Sequence, residues 1–424
     1  MVACSGVVDV LDTLEHWLRT ASASRRAGLA AIPCWWQAHA KHLTAATFHQ
    51  RFRIWPSALH RVVRLHLGWP PATLTSKLWQ ELLGLDCVRD ICHALEYMVH
   101  GMYSNSQCGR HSGAVQNHTN DLPTSADETM RHMSITTATP LSTLHSWIDS
   151  GLKILDSIHG HLVQWPNQSE CAIIAGQFTH WADIRGAIGA VDCSHVAILP
   201  YESERQDYTN RKAFYSVHLL AIVDASGRFR YVDVGCSGSM ADTTILRTSA
   251  LAQGQTSCLQ RNKQPPIPLG YFLLADAGFT LVPWVVMNYT ELECKRYASC
   301  RKFNGEISKA RVIVERAFGQ CKRRYKRIGG RSSHDRVPRV CQMVRAVTAL
   351  HNLTVDAEEQ VFGAYRVESD AQPILPLHGV AALQRSGSVP TSASYLGADD
   401  KVRATARSVR QIVASAAVQA PVEC

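Results

Sequence analysis

The sequence lacks the short motifs that mark several common classes of enzyme. It contains no GxxxxGK[ST] phosphate loop, no GxGxxG after a strand, no GxSxG nucleophile elbow and no HExxH zinc motif. Nucleotide-driven chemistry and the usual serine or zinc hydrolysis therefore have no support. There is also no CxxC, and the fourteen cysteines are scattered. This pattern predicts reduced, mostly buried thiols of a cytosolic or nuclear protein, rather than a zinc site or a disulfide framework.

Long apolar runs are absent as well. The longest uncharged apolar stretch lies near residues 214–223 and is far shorter than the roughly 20 residues that a helix needs to cross a bilayer. Asp9, Asp12 and Glu15 interrupt the apolar N-terminus, which argues against a signal peptide. We expect no association with membranes.

Negative charge is scarce in one segment. From Lys295 to Arg345 there are 16 Lys or Arg residues against three acidic ones, a larger excess than the net charge of +9 of the whole chain. The remainder of the chain is therefore slightly acidic. A local basic block indicates a polyanionic partner, most often nucleic acid.

Composition and periodicity divide the chain into five segments. Residues 1–103 have a helical pattern, which fits either a helix-turn-helix-like unit or an ordinary helical bundle. Residues 104–140 are polar and predict a linker or exposed loop. Residues 141–185 predict a connecting helical segment, and residues 186–355 an α/β domain. Residues 366–424 show little periodicity and predict a disordered tail.

The α/β segment predicts a mixed sheet flanked by helices. Strand-like runs cover 187–198, 214–223, 228–235 and 271–276. Three sequential strands favour antiparallel pairing, and a later strand that follows a helix favours parallel pairing. The expected helices are a short one from Asp242, one from Leu281, and two long ones over about 307–327 and 337–355.

Two acidic residues come at the ends of apolar strand-like runs. Asp192 follows AIGAV and precedes a polar turn, and Asp276 follows LLA and is itself followed by Ala277 and Gly278. If the two strands are neighbours, both carboxylates face one point, where like charges repel unless a cation neutralises them. Hard divalent cations such as Mg2+ prefer carboxylate ligands. For each residue, an aspartate that merely caps a turn is the alternative.

Two further acids lie on predicted helices. Asp242 opens a short helix, where it acts as a cap or first-turn acid, a metal ligand, or both. Glu315 lies on a long helix one turn from Arg311 and Gly319. A solvated ion pair with Arg311 is the alternative to a ligand role for Glu315.

Basic residues form two candidate nucleic-acid contacts. The larger run is on the same helix as Glu315, and a solvated face or a nuclear import signal is its alternative explanation. The candidate residues are Arg211, Lys212, Arg311, Lys322, Arg323, Arg324, Lys326 and Arg327. His195, three residues past Asp192, is more typical of a structural histidine than of a catalytic one.

Five blocks of the sequence, in order, resemble successive blocks of the PIF/Harbinger transposase family, a DDE-type group with transposase-derived nucleases among its relatives. The blocks are GAIGAVDCSHVAI, YTNRKAFYSVHLLAIVDASGRF, GSMADTTILRTSAL, LLADAGFTLVPW and SKARVIVERAFGQCKRRYKRI. The resemblance covers about residues 186–353, and the ordered set is far more specific than any single block.

The resemblance implies a ribonuclease H-like fold for the α/β domain. It also implies the activity of a metal-dependent DNA endonuclease, which catalyses phosphodiester hydrolysis or DNA strand transfer. Asp192, Asp276 and Glu315 would form the DDE triad, and Asp242 would be a further acid of the metal site. Two Mg2+ or Mn2+ ions would be the cofactors. DNA, a separate Myb/SANT-like DNA-binding protein and a second copy of the chain are the implied partners. The resemblance implies a location in the nucleus, with the cytoplasm as a further location.

Four positions depart from the family pattern while all four acids are kept. Cys193 and Ser194 stand where the family commonly has Gly and Thr, Ala241 stands where His is frequent, and Cys321 replaces a Leu. Two other hypotheses stay open. One is a domesticated, catalytically inactive module that binds DNA or a protein. The other is a phosphohydrolase of small esters, against which the extended basic stretch argues.

Overall fold

In the computed structural model, the described residues begin at Thr44 and extend to Val418 with several gaps. The described ranges are 44–69, 74–83, 85–99, 130–131, 133–134, 139–261, 263–330, 335–362, 372–386 and 400–418. The predicted linker, 104–140, therefore lies almost wholly outside the described residues.

Helices surround a single described sheet. In chain order they are α1 (Ala45–Phe52), α2 (Pro56–Leu67), α3 (Ser76–Leu83), α4 (Asp86–Val99), α5 (Leu141–Ser157), α6 (His159–Leu162), α7 (Gln168–Ala182), α8 (Arg205–Tyr208), α9 (Asp242–Thr248), α10 (Ala250–Gln260), α11 (Glu291–Arg296), α12 (Ala298–Arg324), α13 (Val337–Phe362), α14 (His378–Ser386) and α15 (Asp400–Val418). Single 3-10 turns cover Glu202–Glu204 and Lys326–Ile328.

The N-terminal region is helical, as its pattern predicts, and the break falls at Pro56. The backbone N–H of Thr47 donates to the Thr44 hydroxyl at the start of α1, and Arg53 ends that helix in a left-handed conformation. Pro56 then occupies the first turn of α2, where a missing N–H costs nothing. A DNA-binding role for these two helices stays a prediction.

Helix α4 packs closely against α5. A Cβ atom added at Gly151 would lie 2.1 Å from the backbone oxygen of Asp90, so only glycine allows this approach. Because α5 also packs against α13, the N-terminal helices are joined to the helices that cover the sheet.

The sheet has five strands in the order β3-β2-β1-β4-β5. The strands are β1 (Ala187–Ala197), β2 (Ser216–Val223), β3 (Phe229–Ser237), β4 (Phe272–Ala275) and β5 (Val285–Met287). Strands β1, β2 and β3 pair antiparallel, whereas β4 pairs parallel with β1 and β5 parallel with β4. The predicted mixed sheet, with its antiparallel and parallel parts, is confirmed.

Helices α7, α12 and α13 carry much of the packing against this sheet. Helix α12 lies against β1, β2 and β4, α7 lies against β1 and α12, and α13 lies against β3. The apolar stripe by which α12 packs against the core is the one that its 3.6-residue periodicity predicts. Its buried members are Ala310, Val314, Ala317, Cys321 and Tyr325.

The prediction of a helix from Leu281 was wrong. Residues Val285–Met287 instead form β5, which pairs with β4, and the next helix begins at Glu291. A short apolar run such as LVPWVVM fits a buried strand and a helix segment equally well by periodicity alone.

The expectation of a disordered tail was also wrong for the parts that the structure describes. Helices α14 and α15 pack against each other, and α15 packs against α12 and β5. The buried stripe of α15 consists of Val402, Ala406, Val409, Val413 and Ala417. Because these side chains are small, the stripe is a weak signal in the sequence. None of the helices in the described ranges is long and apolar enough to cross a membrane.

Candidate active site

Asp192 and Asp276 occupy equivalent positions on two neighbouring parallel strands. Ala190 of β1 is paired in register with Leu274 of β4, and each aspartate lies two residues further on. The sequence predicts that Asp192 ends its strand, but β1 continues to Ala197 because its second half pairs with β2. Strand β4 does end at Ala275, so the two aspartates meet where the parallel pairing stops.

The Asp192 carboxylate lies in an environment that disfavours its charge. Its pKa is raised to about 6, mainly by burial and also by the neighbouring carboxylates of Asp276 and Asp242, against opposing contributions from the Cys193 N–H and the Arg311 guanidinium. The Cys193 backbone N–H donates to Asp192 Oδ1 over 2.8 Å. A half-buried carboxylate with two acidic neighbours has the environment that a bound cation would relieve.

Gly278 brings Asp242 and Asp276 to one place. Its backbone N–H donates to Asp276 Oδ1 at 2.9 Å, and its carbonyl oxygen accepts from Thr243 Oγ1 at 2.8 Å. A Cβ atom at Gly278 would lie 3.1 Å from Asp276 Oδ1 and 3.6 Å from Asp242 Oδ2. The turn after β4 and the start of α9 are thus joined, and Asp276 caps the turn as well as facing Asp242.

The other carboxylate oxygen of Asp242 faces a different group. Its Oδ1 lies 3.7 Å from Nδ1 of His218, and the Cys193 sulfur lies within 4.8 Å of the same carboxylate. Ligand atoms of Cys193, His218 and Asp242 all lie within 4.8 Å of one another. In the described part of the chain, no three of the four predicted acids gather as tightly.

Glu315 joins the acidic group through Arg311. Nη2 of Arg311 lies 4.0 Å from Asp192 Oδ2 and 3.9 Å from Glu315 Oε1. Glu315 points outward from α12, with 57% of its side chain exposed, whereas the Arg311 side chain is only 13% exposed. The i,i+4 pair foreseen as an alternative therefore exists, and Arg311 lies inside the acidic cluster rather than on an outward-facing basic surface.

The residues present fit a hard divalent cation. Asp192 and Asp276 each lie two residues past the Ala190–Leu274 pair, and Asp242 Oδ2 faces Gly278 beside Asp276. Glu315 is linked to Asp192 through Arg311. Such oxygen donors are the ligands that Mg2+ and Mn2+ prefer. Arg311 adds one positive charge to this group of carboxylates.

Two basic segments that are far apart in the sequence come together around His195. The pKa of His195 is lowered to about 4, mainly by burial and also by four neighbouring groups, which are His218, Lys212, Lys322 and Arg211. Arg211 and Lys212 are exposed. His195 Nδ1 lies 3.0 Å from the Ser216 hydroxyl, so its role in the fold is structural, as the sequence favours.

Lys322 is held by the sheet. Its Nζ donates to the hydroxyl of Ser194 at 2.8 Å and to the carbonyl oxygen of His195 at 2.7 Å. Its pKa is lowered to about 8, mainly by burial and also by the charge of Lys212. The side chain therefore joins α12 to β1, and its ammonium group is not directed outward in the way that the sequence suggests.

The rest of the basic run is divided between surface and interior. Arg323 and Lys326 are exposed and Arg324 is half-buried. Arg327 is 5% exposed, so it does not contribute to a basic surface.

The buried guanidinium of Arg327 belongs to a network with two partners. Its Nε donates to Asp335 Oδ2 at 2.8 Å, and its Nη2 donates to the Tyr97 hydroxyl at 2.6 Å. The Tyr97 hydroxyl in turn donates to Asp335 Oδ1 at 2.6 Å.

Sequence reasoning missed two members of the site. His218 is 3% exposed and lies in the middle of the apolar run of β2, where an isolated polar residue is the signal that could have indicated it. Cys193 was noted only as a departure from the family pattern. Because its partners lie 25 and 49 positions further along the chain, no local spacing motif could have linked them.

The fold and the site together define a class of protein. A mixed sheet in this order, flanked by helices and carrying carboxylates at the end of the central parallel pair, is a ribonuclease H-like domain of the DDE endonuclease type. Residues 191–352 match the model of the DDE superfamily endonuclease family. This match supports the family resemblance inferred from the sequence for that part of the chain.

Curated relatives agree with this assignment at low identity. HARBI1 of Mus musculus, which is named as a nuclease, is 28% identical over 183 residues, covering 42% of this chain and 49% of the relative. An ALP1-like protein of Arabidopsis thaliana is 26% identical over 254 residues, or 57% of this chain and 58% of the relative. The protein Antagonist of Like Heterochromatin Protein 1 of Arabidopsis thaliana is 21% identical over 218 residues, or 48% and 53%.

The matches span about half the length of these relatives. No solved structure matches the chain.

Proposed function

We propose that this protein is a metal-dependent DNA endonuclease with a DDE site. The observation that carries the proposal is the equivalent placement of Asp192 and Asp276 on adjacent parallel strands, together with the raised pKa of Asp192. Burial and like charges that destabilise a carboxylate are expected where a cation normally compensates for them. The family match supports the same chemistry.

In this proposal Asp192, Asp276 and Glu315 form the catalytic triad. Asp192, which has Asp276 and Asp242 as acidic neighbours, would hold the cations together with Asp276 and Glu315. Asp242 would be a further ligand, because its Oδ2 faces Gly278 beside Asp276. Arg311 would orient Asp192 and Glu315, since its Nη2 lies about equally far from both carboxylates.

Mg2+ or Mn2+ would supply the activation of water or a 3′-hydroxyl and the stabilisation of the leaving oxygen that in-line phosphodiester cleavage needs. The protein's own contribution is to hold four acids at one end of a rigid sheet. The Thr243–Gly278 and Gly278–Asp276 hydrogen bonds keep two of these acids in place.

DNA is the proposed substrate because exposed basic residues from two segments gather near the end of α12 that follows Glu315. Arg211 and Lys212 lie near Lys322 around His195, and Arg323 and Lys326 are exposed further along the chain from Glu315. Arg324 is a further candidate at the surface of the same helix. A location in the nucleus, a Myb/SANT-like DNA-binding partner and a homo-oligomer belong to this proposal through the family resemblance.

A second candidate is a catalytically inactive module that binds DNA or a protein. Two observations favour it. Cys193 and Ser194 differ from the residues common in the family next to the first acid, and one relative is named for antagonism of a heterochromatin protein rather than for cleavage. This candidate predicts DNA binding that needs no metal and leads to no strand break.

Nicking of supercoiled plasmid distinguishes the two candidates. The full chain is incubated with Mg2+ or Mn2+, with and without chelator, and compared with Glu315→Gln, which keeps the size of the side chain. The matched control is Glu306→Gln, nine residues earlier on the same helix. Metal-dependent nicking by the wild type and the control alone supports the endonuclease. Equal nicking by Glu315→Gln would exclude Glu315 from the site.

A further inference from the structure

We infer that Cys193, His218 and Asp242 form a second metal site, selective for a thiophilic divalent cation such as Zn2+, which shares Asp242 with the proposed Mg2+ or Mn2+ site. The inference goes beyond the proposed function, because it concerns a different cation and ligands outside the DDE set. The three ligand atoms already lie within 4.8 Å of one another.

The hydrogen bonding of His218 leaves one ring nitrogen prepared for a metal. Its Nε2 lies 3.3 Å from the carbonyl oxygen of Gly238, which can only accept, so Nε2 carries the proton. Nδ1 then presents its lone pair toward Asp242. Among the described residues this buried Nδ1 has no hydrogen-bond partner. Metal-binding histidines typically donate their other ring N–H to a carbonyl or carboxylate in this way.

The three donor types together select the cation. The His218 Nδ1 lone pair and Asp242 Oδ1 lie 3.7 Å apart and both are electron-rich. A cation bound between these two atoms would therefore be stabilised by both. The Cys193 sulfur adds a soft ligand, which Mg2+ and Mn2+ bind poorly and Zn2+ binds well. Three protein ligands with an open fourth position is a common zinc arrangement.

The shared carboxylate connects the two sites. Oδ1 of Asp242 faces His218, whereas Oδ2 faces Gly278 beside Asp276. A Zn2+ ion on Oδ1 would withdraw charge from the carboxylate that the oxygen-ligand site uses. Zinc would therefore reduce Mg2+-dependent cleavage without displacing DNA.

Cobalt spectroscopy tests the site without DNA and without cleavage. Co2+ is titrated into the full chain and the thiolate-to-Co2+ charge-transfer absorption is recorded, followed by competition with Zn2+ against a chromogenic chelator. The variants are Cys193→Ser and Asp242→Ala. The matched control is Cys258→Ser, a half-buried cysteine on α10. Cys236 is left unchanged, because it is the cross-strand neighbour of His218 and its thiol lies near Cys193.

We expect the wild type and Cys258→Ser to show the charge-transfer band at one equivalent of Co2+. Cys193→Ser should lose the band, and its Zn2+ affinity should fall more than about 100-fold, since even changes around a ligand set cost roughly 10–100-fold. Asp242→Ala should weaken Zn2+ binding but keep a weaker band. Identical spectra and affinities for the wild type and Cys193→Ser would overturn the inference.

Plasmid nicking separates this inference from the proposed function. If the wild type nicks with Mg2+ and also shows the cobalt band, both are supported. A cobalt band without any nicking would overturn the endonuclease alone, and nicking without a band would overturn the zinc site alone. Circular dichroism of each variant confirms folding. If Cys193→Ser does not fold, an unchanged Zn2+ affinity in Asp242→Ala would still overturn the inference.

Discussion

Asp192 and Asp276 each lie two residues beyond the Ala190–Leu274 pair that joins β1 to β4. Each contributes a carboxylate where the parallel pairing stops. Their positions follow from strand register alone, so any change that removes one carboxylate leaves the other in place.

We expect Asp276→Asn to lower metal-dependent nicking by more than about 100-fold, because loss of a ligand costs more than changes around the ligand set. DNA affinity, measured by fluorescence anisotropy, should stay equal or rise, since the variant has one negative charge fewer near the phosphates. Asp183→Asn is the control, because Asp183 ends α7 with φ of 49° and asparagine tolerates this backbone conformation. Wild-type nicking by Asp276→Asn would contradict the triad.

Asp192 should give the metal-free protein a distinct dependence of stability on pH. Its pKa is raised from the ordinary 3.8 to about 6, so between these values the folded protein keeps a proton that the unfolded chain has released. The free energy of unfolding therefore falls as pH rises from about 4 to about 6. Across this pH window the free energy of unfolding of Asp192→Asn should rise relative to that of the wild type by on the order of 1–3 kcal/mol.

Urea unfolding in chelator at a series of pH values measures this difference. Parallel profiles for the wild type and Asp192→Asn would contradict the raised pKa. Added Mg2+ should reduce the difference near pH 7, because a bound cation stabilises the ionised carboxylate.

The exposed basic residues after Glu315 should determine the salt dependence of DNA binding. For the double change Arg323→Ala and Lys326→Ala, we expect weaker binding on every sequence. The slope of log affinity against log salt should shrink by about 0.9 for each phosphate that the variant no longer neutralises. Anisotropy titrations at several salt concentrations measure the slope. An unchanged slope would show that DNA binds elsewhere.

Arg327 should affect stability in a way that its exposed neighbour Lys326 does not. Removing one partner from a buried charged network leaves an uncompensated charge, which typically costs about 3–5 kcal/mol. Arg327→Ala should therefore lower the free energy of unfolding by roughly that amount, whereas Lys326→Ala should change it by less than about 0.5 kcal/mol. Equal effects in urea unfolding would contradict the buried network around Asp335.

Helix α15 should stabilise the sheet domain through Arg410. This side chain donates to Glu293 at 2.8 Å and to the Asn288 carbonyl at 3.1 Å, and its guanidinium lies 4.0 Å from the centre of the Tyr289 ring. Arg410→Met should lower the free energy of unfolding by about 1–3 kcal/mol. Arg403→Met, on an exposed position of the same helix, is the control in thermal unfolding. Matching transitions for both variants would contradict a stabilising role of Arg410.

The sequence predicted the parts of this structure that depend on short-range pattern. Alternating and continuous apolar runs located β1 to β4, and the 3.6-residue stripe located the buried face of α12. The meeting of Asp192 and Asp276 was predictable because register carries a position on one strand to its neighbour. The helix α15 was not, since a stripe of alanine and valine gives little contrast with its surroundings.

Long-range side-chain contacts were beyond pattern reasoning. In the run Lys322 to Arg327, nothing in the sequence distinguishes the exposed Lys326 from the buried Arg327, because burial depends on Tyr97 and Asp335, which come from elsewhere in the chain. The same holds for Cys193 and His218, whose proximity depends on the pairing of β1 with β2 and on the position of α9.

Tyr97 of helix α4 is hydrogen-bonded to Arg327 and Asp335 of the sheet domain. The unit that folds together therefore includes α4, although composition places the start of the α/β domain at residue 186. Through Tyr97, helix α4 covers the buried ion pair of Arg327 with Asp335. A fragment that begins after residue 99 would expose that pair to water and lack the tyrosine hydroxyl that bridges it. The N-terminal helices and the sheet should therefore unfold in one cooperative transition, whatever each of them binds.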